Sequence, residues 1–256
     1  MSEDRNVARR ARIEELRAAE KARAKRRRNT AIGAGVLVAA LVAGGITWAV
    51  VGNKKSSGST TAAASKGFCG NVTPGSPNGK QWSSAPAMTI DTAAAYTATL
   101  QTSCGDVTIA LDAKDAPKTV NSFVFLAGQH YFDHTHCHRL TTAGLYVLQC
   151  GDPTGSGSGG PGYQFPDEYL NDPVIKGGTY PAGTVAMANS GPNTNGSQFF
   201  LVYQDSPLPA SYTPFGKITA GLDVVQHVAK DGVNGGGTDG APNDTVYINS
   251  VPVTKS

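Results

Sequence analysis

The sequence predicts a mainly β domain, around eight strands closed into a barrel with two helical caps, preceded by a single transmembrane helix. Three observations predict it. Short runs of strand-like residues recur from Tyr96 to Val253, two stretches between them carry helical periodicity, and an uncharged run of about 22 residues, Ala31–Gly52, follows a basic cluster near the start.

Residues 1–30 read as a basic leader. They hold eleven Lys/Arg against five Asp/Glu, whereas the remaining chain holds eleven basic and fourteen acidic residues, so the formal net charge of +3 hides two halves of opposite sign. The body therefore lacks the electrostatic footprint of a nucleic-acid binder, and no nucleic-acid partner is expected. The leader is rich in Ala, Glu, Arg and Lys and should be helical against an anionic membrane face; contact with RNA is the less favoured alternative.

Residues 31–52 are long enough to cross roughly 30 Å of hydrocarbon at 1.5 Å per residue. Lys25, Arg26, Arg27 and Arg28 precede them and only Lys54 and Lys55 follow. The positive-inside rule then keeps the N-terminus in the cytoplasm and sends the rest across the cytoplasmic membrane as a single-pass protein. A cleaved signal peptide is the competing reading, but its apolar region usually runs about 7–15 residues. A buried soluble helix is disfavoured by the Gly-rich, all-round apolar pattern, and no Cys closes the span to take a lipid. Residues 53–90 read as a flexible linker and N-terminal extension: Asn53–Ser65 is nearly free of apolar bulk, while Gly67–Met88 adds Cys69 and Trp82 and is expected to be partly ordered. Residues 91–256 form the globular domain.

Tyr96–Ser103 and Val107–Leu111 read as two strands joined by Cys104-Gly105-Asp106, a hairpin turn signal. Pro117–Gly128 opens on Pro and closes on Gly, with Val120, Phe123, Val124 and Ala127 on one stripe, and reads as a helix. Further strands are expected at His136–Leu140, Leu145–Cys150, Thr184–Asn189, Gln198–Tyr203, Phe215–Ile218 and Thr245–Val253. A second helix is expected at Leu222–Lys230.

The stretch with most chemical content is Ala186–Phe200, AMANSGPNTNGSQFF, with His138-Arg139-Leu140 and Gln149-Cys150-Gly151-Asp152 upstream. In this order these residues closely resemble the cyclophilin family of peptidyl-prolyl cis-trans isomerases, and the resemblance runs from about Tyr96 to Val253. Pro117–Phe123 is similar to the family's first helix, and Phe215-Gly216-Lys217-Ile218 to the strand after its active-site loop. The resemblance implies an eight-stranded antiparallel closed barrel capped by two helices, no cofactor, no metal, and proline-containing polypeptides as substrates. A monomer is expected.

After Arg28, Arg139 is the only arginine of the chain. The resemblance makes it the catalytic residue, donating hydrogen bonds to the twisted amide, with Gln149 in support. It places the proline ring against Tyr146, Val147, Phe200, Leu208 and Tyr212, and makes Ala188, Asn189 and Gln198 the backbone-binding groove, Asn189 through its main chain. Tyr146 stands where the family usually has Phe, Val147 where it has Met, and Tyr212 where His is often found. The interval from Arg139 to Gln149 is longer by about two residues. All these replacements keep an apolar or aromatic wall. A proline-peptide-binding module or chaperone with incidental catalysis is the runner-up.

His134, His136 and His138 alternate around Cys137, and on one strand they would share a face as metal ligands. The family match of His138 makes that less favoured. Gly155–Gly162 lacks the Lys-Ser/Thr and helix start of a phosphate loop and reads as a flexible surface loop at the active-site rim. Cys69, Cys104, Cys137 and Cys150 all follow the span, and two disulfides are expected in an oxidising compartment. Three pairings are open, with Cys137–Cys150 and Cys69–Cys104 favoured because the former pair falls on strands expected to be neighbours.

Overall fold

Alternating side chains fold β1 (Tyr96–Thr102) and β2 (Gly105–Leu111) into an antiparallel hairpin, with Tyr96 opposite Leu111 and Thr102 opposite Gly105. The hairpin belongs to a computed structural model that describes residues 68–256. The leader, the apolar run 31–52 and the first part of the tether lie outside the described residues. Among the described residues no helix is long and apolar enough to cross a membrane.

Helix α1 follows at Pro117–Gly128. Its N-cap, Ala116, has no side chain able to cap, so the exposed first-turn amides find a distant acceptor. Glu168 accepts from Lys118 N at 3.1 Å and from Thr119 N and Oγ1 at 2.8 Å each. A carboxylate there also meets the positive end of the helix dipole. The buried stripe is Val120, Phe123, Leu126 and Ala127, and Val124 is only partly buried, so Leu126 takes the place expected for Val124. Phe123 packs against Phe132, Phe199 and Phe215, with ring centroids 5.0 to 5.6 Å apart, and locks the helix to the sheet.

The other strands are β3 (Thr135–His136), β4 (Arg139–Thr141), β5 (Val147–Cys150), β6 (Thr179–Tyr180), β7 (Thr184–Met187), β8 (Phe199–Val202), β9 (Ser206–Pro207) and β10 (Pro214–Ala220). After helix α2 (Leu222–Asp231) come β11 (Asp239–Gly240), β12 (Tyr247–Ser250) and β13 (Val253–Lys255). Eleven strands form one antiparallel sheet in the order β11-β4-β5-β8-β7-β10-β2-β1-β12-β3, with β13 beside β1. The expected eight-stranded closed barrel is thus corrected to an open ladder that curls as a half-barrel. At one end β3 runs on through the chain into β4, the strand next to the other end, β11; β3 and β4 are one segment broken at Cys137-His138. That break arises where Cys137 N turns to Val246 O and His138 N to Gln149 O, 2.9 and 3.1 Å. Pro252, which cannot donate to a ladder, likewise splits the expected last strand into β12 and β13. The two-residue strands β6, β9 and β11 are too short to leave a pattern in the sequence; β6 and β9 pair separately.

The disulfides join Cys69 to Cys104 and Cys137 to Cys150, each with Cα atoms 4.0 Å apart. The former ties the extension to the β1–β2 turn, the latter holds the break beside β5.

Candidate active site

Along β5 and β8 successive side chains alternate between the two faces of the sheet, so two clusters form. Leu148, Cys150, Phe199 and Leu201 enter the main core, whereas Val147, Phe200 and Val202 enter a smaller cluster with Ile175, Tyr180 and Ala186. The outer cluster leaves a pocket of about 160 Å³ lined by Arg139, Leu145, Val147, Gln149, Ala188, Asn189, Phe200, Leu208 and Tyr212. Eight of the ten residues named from the sequence therefore converge there. A ninth, Gln198, borders the adjoining groove.

Tyr146 is the correction. It faces the other side of β5, its ring 6.0 Å from that of Tyr203, and Leu145 stands in the pocket instead. The period of two explains this: counting back from Gln149, Val147 and Leu145 share its face and Tyr146 does not.

Arg139 lies directly opposite Gln149 in the β4–β5 register. The two additional residues are thereby absorbed in the turn, where Ala143 bridges Leu145, and leave the arginine and glutamine aligned. Nη1 of Arg139 donates to Gln149 Oε1 at 3.3 Å; Gln149 Nε2 donates to Gln198 Oε1 at 2.9 Å, and Gln198 Nε2 to Gly159 O at 2.9 Å. The chain of amides fixes which end of Gln149 meets the guanidinium.

Asp239 on β11, 100 residues away in sequence, is a site residue the sequence did not disclose. It accepts from Arg139 Nε at 2.7 Å and Nη2 at 2.8 Å. Of five guanidinium N–H groups, three are thereby engaged and two have no partner among the described residues. The hydrogen bonds to Arg139 hold the Asp239 carboxyl below the usual range, so the pair stays ionised through mild acid.

The far wall is held by residues that sequence reasoning also missed. Tyr180 Oη donates to Tyr212 O at 2.7 Å and accepts from Tyr212 N at 3.1 Å, while Leu208 N donates to Gly178 O at 3.1 Å. Burial pushes the Tyr180 hydroxyl up to about 12, so it stays a donor. The Asn189 side chain is committed to Ser211 O at 2.8 Å and Gly191 N at 3.2 Å, which leaves its main chain to the groove.

The Gly-rich loop is folded around a carboxylate rather than loose. Asp152, fully buried, accepts from Thr154 N and Oγ1, Gly157 N and Gly159 N at 2.6 to 3.1 Å. Burial raises its pKa and these four hydrogen bonds more than offset that, leaving it below the ordinary value. His134, His136 and His138 pack against Gly75, Gly155 and Gly157 respectively. Among the described residues no group of three or more His, Cys, Asp or Glu is placed to hold a metal.

The family model described as "Cyclophilin type peptidyl-prolyl cis-trans isomerase/CLD" matches residues 97–253. A "Probable peptidyl-prolyl cis-trans isomerase B" of Mycobacterium tuberculosis is 55% identical over 163 residues, 59% of this chain and 52% of that protein. Its Mycobacterium leprae counterpart is 53% identical over 167 residues, 62% and 57% of the two chains. The chain thus spans about half the length of these curated relatives. A solved cyclophilin-type isomerase of Cryptosporidium parvum, crystallised in the presence of the dipeptide Ala-Pro, superimposes with a TM-score of 0.53 at 30% identity, over 62% of this chain and 99% of that one.

Proposed function

We propose that this chain, which belongs to the cyclophilin-type peptidyl-prolyl cis-trans isomerase family, accelerates Xaa-Pro isomerisation in exported or cell-envelope proteins while anchored in the cytoplasmic membrane through residues 31–52. The observation that carries the activity is the Arg139 fork at the rim of an apolar pocket built from Leu145, Val147, Phe200, Leu208 and Tyr212.

Rotation about the prolyl C–N bond must overcome a barrier of about 18–20 kcal/mol that comes from amide resonance. As the bond twists, resonance is lost and the prolyl nitrogen becomes a hydrogen-bond acceptor. A donor that meets this nitrogen only in the twisted state lowers the barrier without tightening the planar substrate. Arg139 has N–H groups left to do so, and its planar fork is held on one side by Asp239 and on the other by Gln149. A charge-assisted hydrogen bond is worth about 1.5–3 kcal/mol, or roughly one to two powers of ten in rate. The apolar pocket holds the ring meanwhile.

The site is complete within one chain, which supports action as a monomer. The charge asymmetry about residues 31–52 supports the topology, and four cysteines paired in two disulfides accord with a domain outside the reducing cytoplasm.

Exchange NMR on one Xaa-Pro peptide, giving rate and affinity together, tests the mechanism. Arg139→Ala and Arg139→Lys should both lower the exchange rate at saturating peptide by about tenfold or more, with little change in Kd. Lysine keeps the charge but lacks the fork. A lysine variant that keeps most of the wild-type rate refutes the mechanism, and a wild type that binds the peptide without accelerating exchange favours the binding module instead.

A further inference from the structure

Gln81 and Trp82 precede the segment 97–253 that defines family membership, yet both bond the loop beside the Arg139 pocket, and Gln81 lines the cavity next to it. Gln81 Nε2 donates to Gly160 O at 2.6 Å and Trp82 N to Pro161 O at 2.9 Å. Gly162 has φ 88°, and a Cβ there would lie 2.7 Å from Trp82 O and 2.9 Å from Gln81 Oε1. Only glycine permits both the left-handed conformation and so close an approach. Trp82 stands edge-on to Phe125, centroids 5.2 Å apart, and 5.7 Å from Tyr131, so its ring is seated on the domain. The Cys69–Cys104 disulfide and the bonds from Asn78 Nδ2 to Gln129 O and His130 O fasten the rest of the segment.

The loop at residues 157–162 is thus gripped from two sides. Gln198 of the sheet bonds Gly159 O, and Gln81 of the extension bonds Gly160 O. Between these grips opens a cavity of about 540 Å³ that shares Gln149, Ala188 and Asn189 with the proline pocket. Among the described residues its lining holds no charged side chain; Gln81, Gln164, Thr194 and Gln198 supply uncharged donors and acceptors.

We propose that the extension is part of the substrate groove and that Gln81 is a specificity-determining residue for the side chain flanking the proline, selecting uncharged hydrogen-bonding residues such as Thr and Asn. The inference rests on reading the Arg139 pocket as the isomerase site. One Gln81 N–H is committed to Gly160 O, and the amide keeps donor and acceptor capacity for a substrate. A flanking Lys or Asp would lose hydration in this cavity without meeting an opposite charge.

Exchange NMR on the chain of residues 1–256 in detergent, with Xaa-Pro peptides differing only in one flanking residue (Ala, Thr, Asn or Asp), tests it for wild type, Gln81→Ala and Gln81→Lys. Wild type should favour Thr and Asn over Ala by about three- to tenfold, the range of one hydrogen bond. Gln81→Ala should erase that ratio. Gln81→Lys, whose ammonium still donates to Gly160 O, should shift the preference several-fold towards Asp. Simple loosening of the fold would slow all peptides alike and leave the ratios in place; ratios unchanged in both variants overturn the proposal. A wild type without turnover on any peptide overturns the underlying isomerase reading, whereas normal turnover with unchanged ratios overturns this inference alone.

Discussion

Asp239→Asn tests how the fork of Arg139, proposed above as the catalytic group, is held. The substitution keeps shape but leaves one acceptor where Arg139 Nε and Nη2 now find two, at 2.7 and 2.8 Å, and turns an N–H towards the guanidinium. The pair is not deep: 38% of the Arg139 side chain and 55% of the Asp239 side chain are exposed. Solvent screening therefore holds its worth to about 0.5–1 kcal/mol, below the about 1.5–3 kcal/mol of a well-shielded charged hydrogen bond. If the pair serves to aim the fork, this energy is lost from the transition state, and the maximal exchange rate should fall about two- to fivefold. On the proposed mechanism the apolar pocket and the backbone groove hold the planar peptide, so Kd should move by less than about twofold. Exchange NMR at saturating peptide measures both. Raising ionic strength should bring the wild-type rate down towards that of the variant while leaving the variant nearly flat. A variant faster than wild type would show that Asp239 restrains Arg139, and a raised Kd at unchanged rate would show that the pair serves ground-state binding; either refutes the aiming role.

His138 predicts a pH response. Among the described residues neither ring nitrogen has a hydrogen-bond partner, and burial lowers its pKa against the attraction of Asp152. The unfolded chain therefore takes up this proton first, from about pH 6.5 downwards, and the fold loses stability as pH falls through that value towards the folded pKa. Asp152, also lowered, acts in the same direction but only below about pH 3.9. His138→Phe should flatten the decline in melting temperature between about pH 7 and about pH 5, and a decline as steep as that of wild type would sink the assignment. For the topology, protease added to intact cells should remove the globular domain and spare the basic leader; a fully protected protein would place the domain inside.

Helix α1 could be read to its ends because Pro117 and Gly128 punctuate it chemically, and the β1–β2 hairpin because alternation and Gly105 agree on one turn. Where a signal must survive over two residues it fails, which is why β6, β9 and β11 were invisible despite carrying the pocket's far wall and Asp239. Asp239 adds a second difficulty. Its only claim to the site is a partner 100 residues distant, and a single Thr-Asp-Gly in a loop has the local chemistry of any turn. Tyr146 is different, since the sequence did contain the answer. A resemblance compares positions one by one and assigns Tyr146 to an aromatic slot; a strand obeys a period of two, and with Gln149 fixed at the arginine the pocket face must read Leu145, Val147, Gln149. The lengthened turn lets those two rules disagree without disturbing the register at Arg139. Physical phase is then the stronger guide to a side chain's direction, because turning Tyr146 inward would also expel Val147 and Gln149, and with them the arginine's support.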